Sequence, residues 1–387
     1  MKEFFSNKWK YDNIILYTAI LISFSLIAYY ILNSGYSMSS DSRRFARWAD
    51  ELIKLNFNFF EFYLIDKITI RPNLFFFSVP ISLIALCKVI FVNEWQFAFL
   101  LLNLILVFFS LIIFVKSLLI INIRPILISL TLPIIVISVD ILIWPRFILS
   151  DTIYSFLVIF SIYLIAKGIV KNRFNYFRIL LIILLLIATR PSSISVVFAI
   201  IFFILILNVK ILLKKRNVLL FLVTIFITSP FVLSLVYLFI EQNFNGIPKI
   251  DFMTNMVKDG MIIHDRPETW VDKPNYFVDV VYIYFLRIIN FFNPYASTFS
   301  ITHIILNTIQ IFLIILSILI WSLFGDYFKT QDKMILFILL LSLSVAAFHS
   351  FILIDYDWRY RFPIILPMLM LLPTSLEIIL KKNKLVF

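Results

Sequence analysis

Residues 14–33 read IILYTAILISFSLIAYYILN, twenty positions without a charge. At about 1.5 Å of rise per residue a helix of this length covers about 30 Å, the hydrocarbon thickness of a bilayer. Lys2, Lys8 and Lys10 precede the run, and basic flanks favour the cytoplasmic side, so the N-terminus is expected inside. The run is too long and too late for a cleaved signal peptide, and no small-residue cleavage site follows it.

The rest of the chain has the same character. Of 387 residues, 62% are apolar by type and 14% are charged, whereas a soluble domain is about half apolar and about a quarter charged. Apolar runs recur near 97–116, 126–144, 152–168, 178–190, 193–213, 218–240, 301–324, 334–354 and 363–380. These patterns give an all-α, polytopic membrane helical bundle of ten transmembrane helices, with both termini cytoplasmic. They exclude a soluble enzyme, a nucleic-acid-binding domain and a secreted disulfide scaffold. The single cysteine, Cys87, cannot close an internal disulfide, and five glycines form no phosphate-cradling loop.

Two further apolar stretches read as helices lying in the outer interface. Residues 73–92 carry Pro80 and Lys88, and counting them as a crossing would invert every later loop; residues 277–292 carry Arg287 amid aromatics. On this topology the inner loops hold Lys167, Lys171, Arg173 and Arg178, then Lys210, Lys214, Lys215 and Arg216, as the positive-inside rule expects. Eighteen basic residues then lie inside against five acidic ones, leaving 16 basic and 17 acidic residues outside. The net charge of +12 is therefore an insertion signal and not a nucleic-acid footprint.

The chain divides into a transmembrane module at 1–240 with outer loops 34–96 and 145–151, an outer loop with its interfacial helix at 241–300, and C-terminal transmembrane helices at 301–387. Neither long outer segment is an independent domain. Chemistry is expected in a cavity at the outer face.

After the first span comes SMSSDSRRFARWADELIKLNF, residues 37–57. Phe45, Trp48, Ala49, Leu52 and Ile53 form one apolar stripe at helical spacing, with Arg43, Arg44, Arg47, Asp50, Glu51 and Lys54 opposite. Asp41, at the entry, reads either as a helix N-cap or as a catalytic base at a cavity lip. In WPRFILSD, residues 144–151, Arg146 and Asp151 sit at the outer ends of consecutive helices, with Asp140 deeper in the span. They form a structural ion pair or mark function, since charges at such depth are costly. Arg190 stands before Pro191, and Arg359, Tyr360 and Arg361 before Pro363. Arginine's planar fork suits a lipid phosphate; the alternative is an interfacial belt whose arginines are neutralised by Asp355 and Asp357. His264, His303 and His349 are scattered, without zinc-ligand spacing, and Met253, Met256 and Met261 read as filler.

Taken in order, SSDSRRFARWADELI, RPNLFFFSVPISLIALCKVIF, PRFILSDTIYSFLVIFSIYLIAKG, ATRPSSI and WRYRFPIILPMLML resemble the motifs of the GT-C superfamily of integral-membrane glycosyltransferases. Within it the chain looks like the protein O-mannosyltransferases and aminoarabinose transferases. The resemblance implies a GT-C-like fold and transfer of a sugar from a polyprenyl-phosphate donor to a glycan, lipid or protein acceptor, with inversion. It gives Asp41 the role of general base, and Asp151 that of the second-loop acidic residue that shapes the site or holds a divalent metal. It assigns Arg359 and Arg361 to the donor phosphate, with Tyr360, Arg190 and Arg146 compatible with the same cavity. Ser42 stands where the superfamily often has a second carboxylate, and the large C-terminal soluble domain of some relatives is missing. Two other readings fit a polytopic protein with outer arginines. An O-antigen-type polymerase would need no first-loop carboxylate, and a transporter or flippase of lipid-linked saccharides would favour repeats and glycine-broken helices.

Overall fold

In a computed structural model, described over residues 10–65, 69–70, 72–208, 215–243, 248–296, 299–325, 329–352 and 358–382, each of the apolar runs is helical. The order begins α1 (Lys10–Ser34), α2 (Ser40–Lys54) and α3 (Phe59–Tyr63), then a ribbon of β1 (Leu64–Ile65) and β2 (Thr69–Ile70). It continues with α4 (Pro72–Phe76), α5 (Ser78–Phe91), α6 (Trp95–Ile120), α7 (Pro125–Val136), α8 (Val139–Ile143), α9 (Asp151–Lys171), α10 (Tyr176–Ile187) and α11 (Ser193–Asn208). It ends with α12 (Lys215–Asn243), α13 (Pro248–Lys258), α14 (Phe277–Phe291), α15 (Ile301–Phe324), α16 (Thr330–Ile352), α17 (Phe362–Leu369) and α18 (Leu371–Lys382).

Among the described residues six helical stretches are long and apolar enough to cross a membrane, seven if α7 and α8 count as one. The expected span at 126–144 is in fact bent by 65° between Val136 and Val139. Pro133 lacks the N–H that would tie the last turn of α7, and Ser138 takes extended ψ before α8 begins. α10, α11 and residues 228–241 of α12 are apolar but shorter. Residues 73–92 form two helices, α4 and α5, and α5 packs on α2 and α6. α14 packs on α12 and α16, where its buried Arg287 donates to the Met261 and Ser350 carbonyls.

The packing is that of a protein in lipid. α15 turns Ile305, Ile309, Phe312, Ile315 and Leu319 outward and buries Asn307, Gln310 and Ser317. A helix at a water interface does the reverse.

Polar groups gather at two poles. At one, the Arg124 backbone N–H, at the start of α7, donates to Glu377 Oε2 at 3.0 Å, with the Arg124 guanidinium at 3.2 Å and Lys381 at 3.4 Å from the same carboxylate. Gln331 donates to the Ile121 carbonyl and Trp321 to Asp332 there. α6 runs from this end to the other pole, where Asn103 donates to the carbonyls of Pro145 and Phe147.

Candidate functional site

The second pole is assembled by backbone first. α1 ends at Gly35, whose φ of +67° suits the left-handed helix-ending position. The chain then pairs with the second outer loop: Ser37 N–H donates to the Arg146 carbonyl at 2.8 Å, and Ile148 N–H to the Ser37 carbonyl at 3.3 Å. This bridge fixes the distance between the starts of α2 and α9, and therefore between Asp41 and Asp151.

Ser39 is the N-cap of α2, in a reciprocal capping box with Ser42. Asp41 is thus not the cap, which frees its carboxylate. One oxygen accepts from Arg44 at 2.6 Å and the other from Arg359 Nη1 at 2.8 Å. Asp151 opens α9 and is completely buried. It accepts from Arg359 Nε at 2.9 Å and from Arg190 Nη1. One guanidinium, Arg359, therefore bridges two carboxylates from loops far apart in sequence. Arg190 adds the fourth charge from the link between α10 and α11, and its guanidinium lies over the Tyr360 ring at 5.0 Å. Two carboxylates and two guanidiniums make a quartet, to which the more exposed Arg44 adds a third cation on Asp41.

Burial raises the Asp41 pKa, but the hydrogen bond and charge of Arg359, then the charges of Arg44 and Arg190, outweigh it and hold the carboxyl below its ordinary 3.8. Asp41 is anionic at neutral pH but a weak base while Arg359 holds it.

Four hydroxyls neighbour the quartet in the chain. Ser150 and Thr152 flank Asp151, and Ser192 and Ser193 follow Arg190; all four are buried, and the hydroxyls of Ser150, Thr152 and Ser193 make no hydrogen bond. Sequence reading passed over them, although their adjacency to Asp151 and Arg190 in LSDT and RPSS was a visible signal.

Two expected members lie elsewhere. Arg146 donates to the Ser34 and Gly35 carbonyls at 2.9 and 3.1 Å, satisfying the open end of α1, and pairs with neither carboxylate of the quartet. Arg361 donates to the Asn293 carbonyl and lies in the electrostatic reach of Asp140, so it does not share a ligand position with Arg359. Residues 358–360 form a 3-10 turn, and two residues at about 120° each point in different directions. Asp355 and Asp357, the expected neutralisers, lie outside the described residues, as does Arg71 of the Arg-Pro motif. On the opposite face of α2, Asp50 pairs with Lys88 of α5 at 2.7 Å.

A divalent cation wants about six oxygens. Here two carboxylates are separated by a guanidinium, and no three His, Cys, Asp or Glu side chains come together among the described residues. This donor set does not suit a metal. No protein-family model, no curated protein and no solved structure matches the chain.

Proposed function

We propose that the protein is a membrane glycosyltransferase of GT-C type, which moves a sugar from a polyprenyl-phosphate donor to a glycan, lipid or protein acceptor. The observation that carries this reading is Arg359 held between Asp41 and Asp151, with Arg190 on the same buried carboxylate. Such a setting offers cations for a phosphate and a carboxylate for an acceptor proton.

In the reaction, an acceptor hydroxyl or amine attacks the anomeric carbon while Asp41 takes its proton. The bond from that carbon to the phosphate oxygen breaks, and the electron pair leaves on the polyprenyl phosphate, stabilised by Arg359 and Arg190. A single displacement inverts the anomeric centre. The donor phosphate competes with Asp41 for Arg359, and this exchange returns basicity to the carboxylate at the moment it is needed.

The frame for this chemistry is the topology of about ten spans with both termini cytoplasmic, in a bacterial inner (plasma) membrane, in the service of cell-envelope glycan biosynthesis. The test is sugar transfer from a polyprenyl-phosphate donor in membranes carrying Asp41→Asn or Arg359→Ala. Each is expected to lower the rate by about 10²-fold or more. Full activity in Asp41→Asn would remove the base assignment, and full activity in both would remove the reaction from this site.

A further inference from the structure

A second group of buried polar side chains collects where α8, α15 and the start of α17 meet. Asn307 and Gln310 lie three apart on the buried face of α15. Gln310 Oε1 is 3.3 Å from Ser138 Oγ, at the break between α7 and α8. Ser138 stands at the N-cap of α8 yet makes no capping hydrogen bond. Two residues on, buried Asp140 accepts from Trp144 Nε1 at 3.1 Å through one oxygen. Its other oxygen, Oδ2, has no hydrogen-bond partner, and neither have Asn307 Nδ2 and Gln310 Nε2. Each of these three side chains is more than nine-tenths buried.

Buried polar groups in proteins are normally matched, and irregular backbone at membrane depth is tolerated where it is enclosed by protein or lines a cavity. Here a 65° helix break and three unmatched side-chain atoms coincide. None of the three is used by the quartet. We propose that this buried polar cluster, at the break between α7 and α8, is a binding site for an uncharged, hydroxyl-rich ligand, a saccharide, through Asp140, Asn307 and Gln310.

The chemistry of the three groups selects that class. The carboxylate oxygen needs a donor, and the two amide N–H groups need acceptors. A hydroxyl supplies either, and a pyranose ring carries several on a rigid frame. A phosphate supplies acceptors only and meets the charge of Asp140. An amine meets Arg361, which lies within electrostatic reach of Asp140. The inference asks only for binding and stands without the transfer reaction.

The experiment is saturation-transfer NMR on the full chain in lipid nanodiscs, with methyl β-glucoside, methyl β-galactoside and methyl α-mannoside as probes. At least one probe is expected to receive saturation from the wild type. The near-isosteric Asn307→Leu and Gln310→Met are each expected to weaken that binding about tenfold. Asp41→Asn, which alters the quartet alone, is expected to keep it. Thermal unfolding of the same samples separates a ligand site from a structural network. Replacing the unmatched Asn307 amide N–H by an apolar side chain leaves the midpoint unchanged or raises it, whereas Gln310→Met also strands the Ser138 hydroxyl and is expected to lower it by no more than a few degrees. The proposal is overturned by no transfer to any of the three probes, by unchanged binding in both amide variants, or by loss of binding in Asp41→Asn. It is equally overturned if both amide variants fail to fold or lose more than about 5 °C.

Discussion

Asp41 and Asp151 accept hydrogen bonds from the same guanidinium, yet Asp41 keeps 31% of its side chain exposed and Asp151 none. The difference separates their mutational signatures. Asp151→Asn leaves Arg190 and Arg359 buried against a neutral amide, and breaking a buried pair costs about 3–5 kcal/mol. Its unfolding midpoint in mild detergent is expected to fall by several degrees along with activity. Asp41→Asn removes a half-open pair worth about 1 kcal/mol or less, so the midpoint holds while transfer is lost. Equal losses of stability in the two variants would contradict this division. The lowered Asp41 pKa has a signed consequence. A depressed carboxylate contributes stability that is present above its unfolded value and is lost as pH falls through the folded one. Because kcat/KM reports the free enzyme, its acid limb is expected below pH 3.8. A limb near pH 6 in kcat/KM would assign the base elsewhere. Asp151 and Arg190 were legible in the sequence because each borders an apolar run where a charge is costly, whereas Asp41 and Arg359 were picked out at a helix entry and beside a proline and received their roles from the resemblance. The separation of Arg361 from Arg359 was not legible, because it depends on a single 3-10 turn that composition does not reveal.

The elements show the same division between what patterning fixes and what packing decides. The α2 stripe appeared from spacing, and Phe45, Ala49 and Leu52 are buried as that spacing requires. That Lys88 of α5 ties α2 through the Ala46 carbonyl and Asp50 needed the fold. Apolar runs located the helices, but 126–144 gave no decisive sign of its bend, since it is apolar apart from Ser129, Thr131, Ser138 and Asp140 and a proline within a span need not break it. At the opposite pole Glu377 acts on an element rather than on the chemistry. Its carboxylate takes the Arg124 backbone N–H and side chain at the entrance to α7, joining that helix to α18. In Glu377→Leu these donors lose their acceptor. Arg124 is partly exposed, so the cost is expected at about 1–3 kcal/mol. Unfolding in detergent is expected at lower temperature, with sugar transfer at low temperature preserved. Loss of transfer at full stability would instead couple this pole to the quartet.

On the scale of the whole molecule, the polar side chains gather at two poles. Arg124, Asp332, Glu377 and Lys381 meet at one end, and Asp41, Arg146, Asp151, Arg190 and Arg359 at the other. The fold alone does not say which pole faces the cytoplasm; the positive-inside rule gives the expectation that the first pole does, because it belongs to the loops assigned 18 basic against five acidic residues. The chain is well suited to a direct test, since its one cysteine, Cys87, is buried and gives a low background to thiol reagents. Glu61→Cys and Lys273→Cys place exposed thiols in the two long outer segments, and Arg173→Cys and Lys382→Cys place them at the opposite, basic end. With a membrane-impermeant maleimide, the first two are expected to label in intact cells and the second two only after permeabilisation. Labelling of Arg173→Cys in intact cells would invert the protein and put the quartet on the cytoplasmic side. A split between Glu61→Cys and Lys273→Cys would mean that an odd number of spans separates the two loops, and the even count between residues 34 and 300 would have to be abandoned. Agreement of all four would place the quartet on the outer face, which is where a sugar carried on a flipped polyprenyl phosphate must be collected.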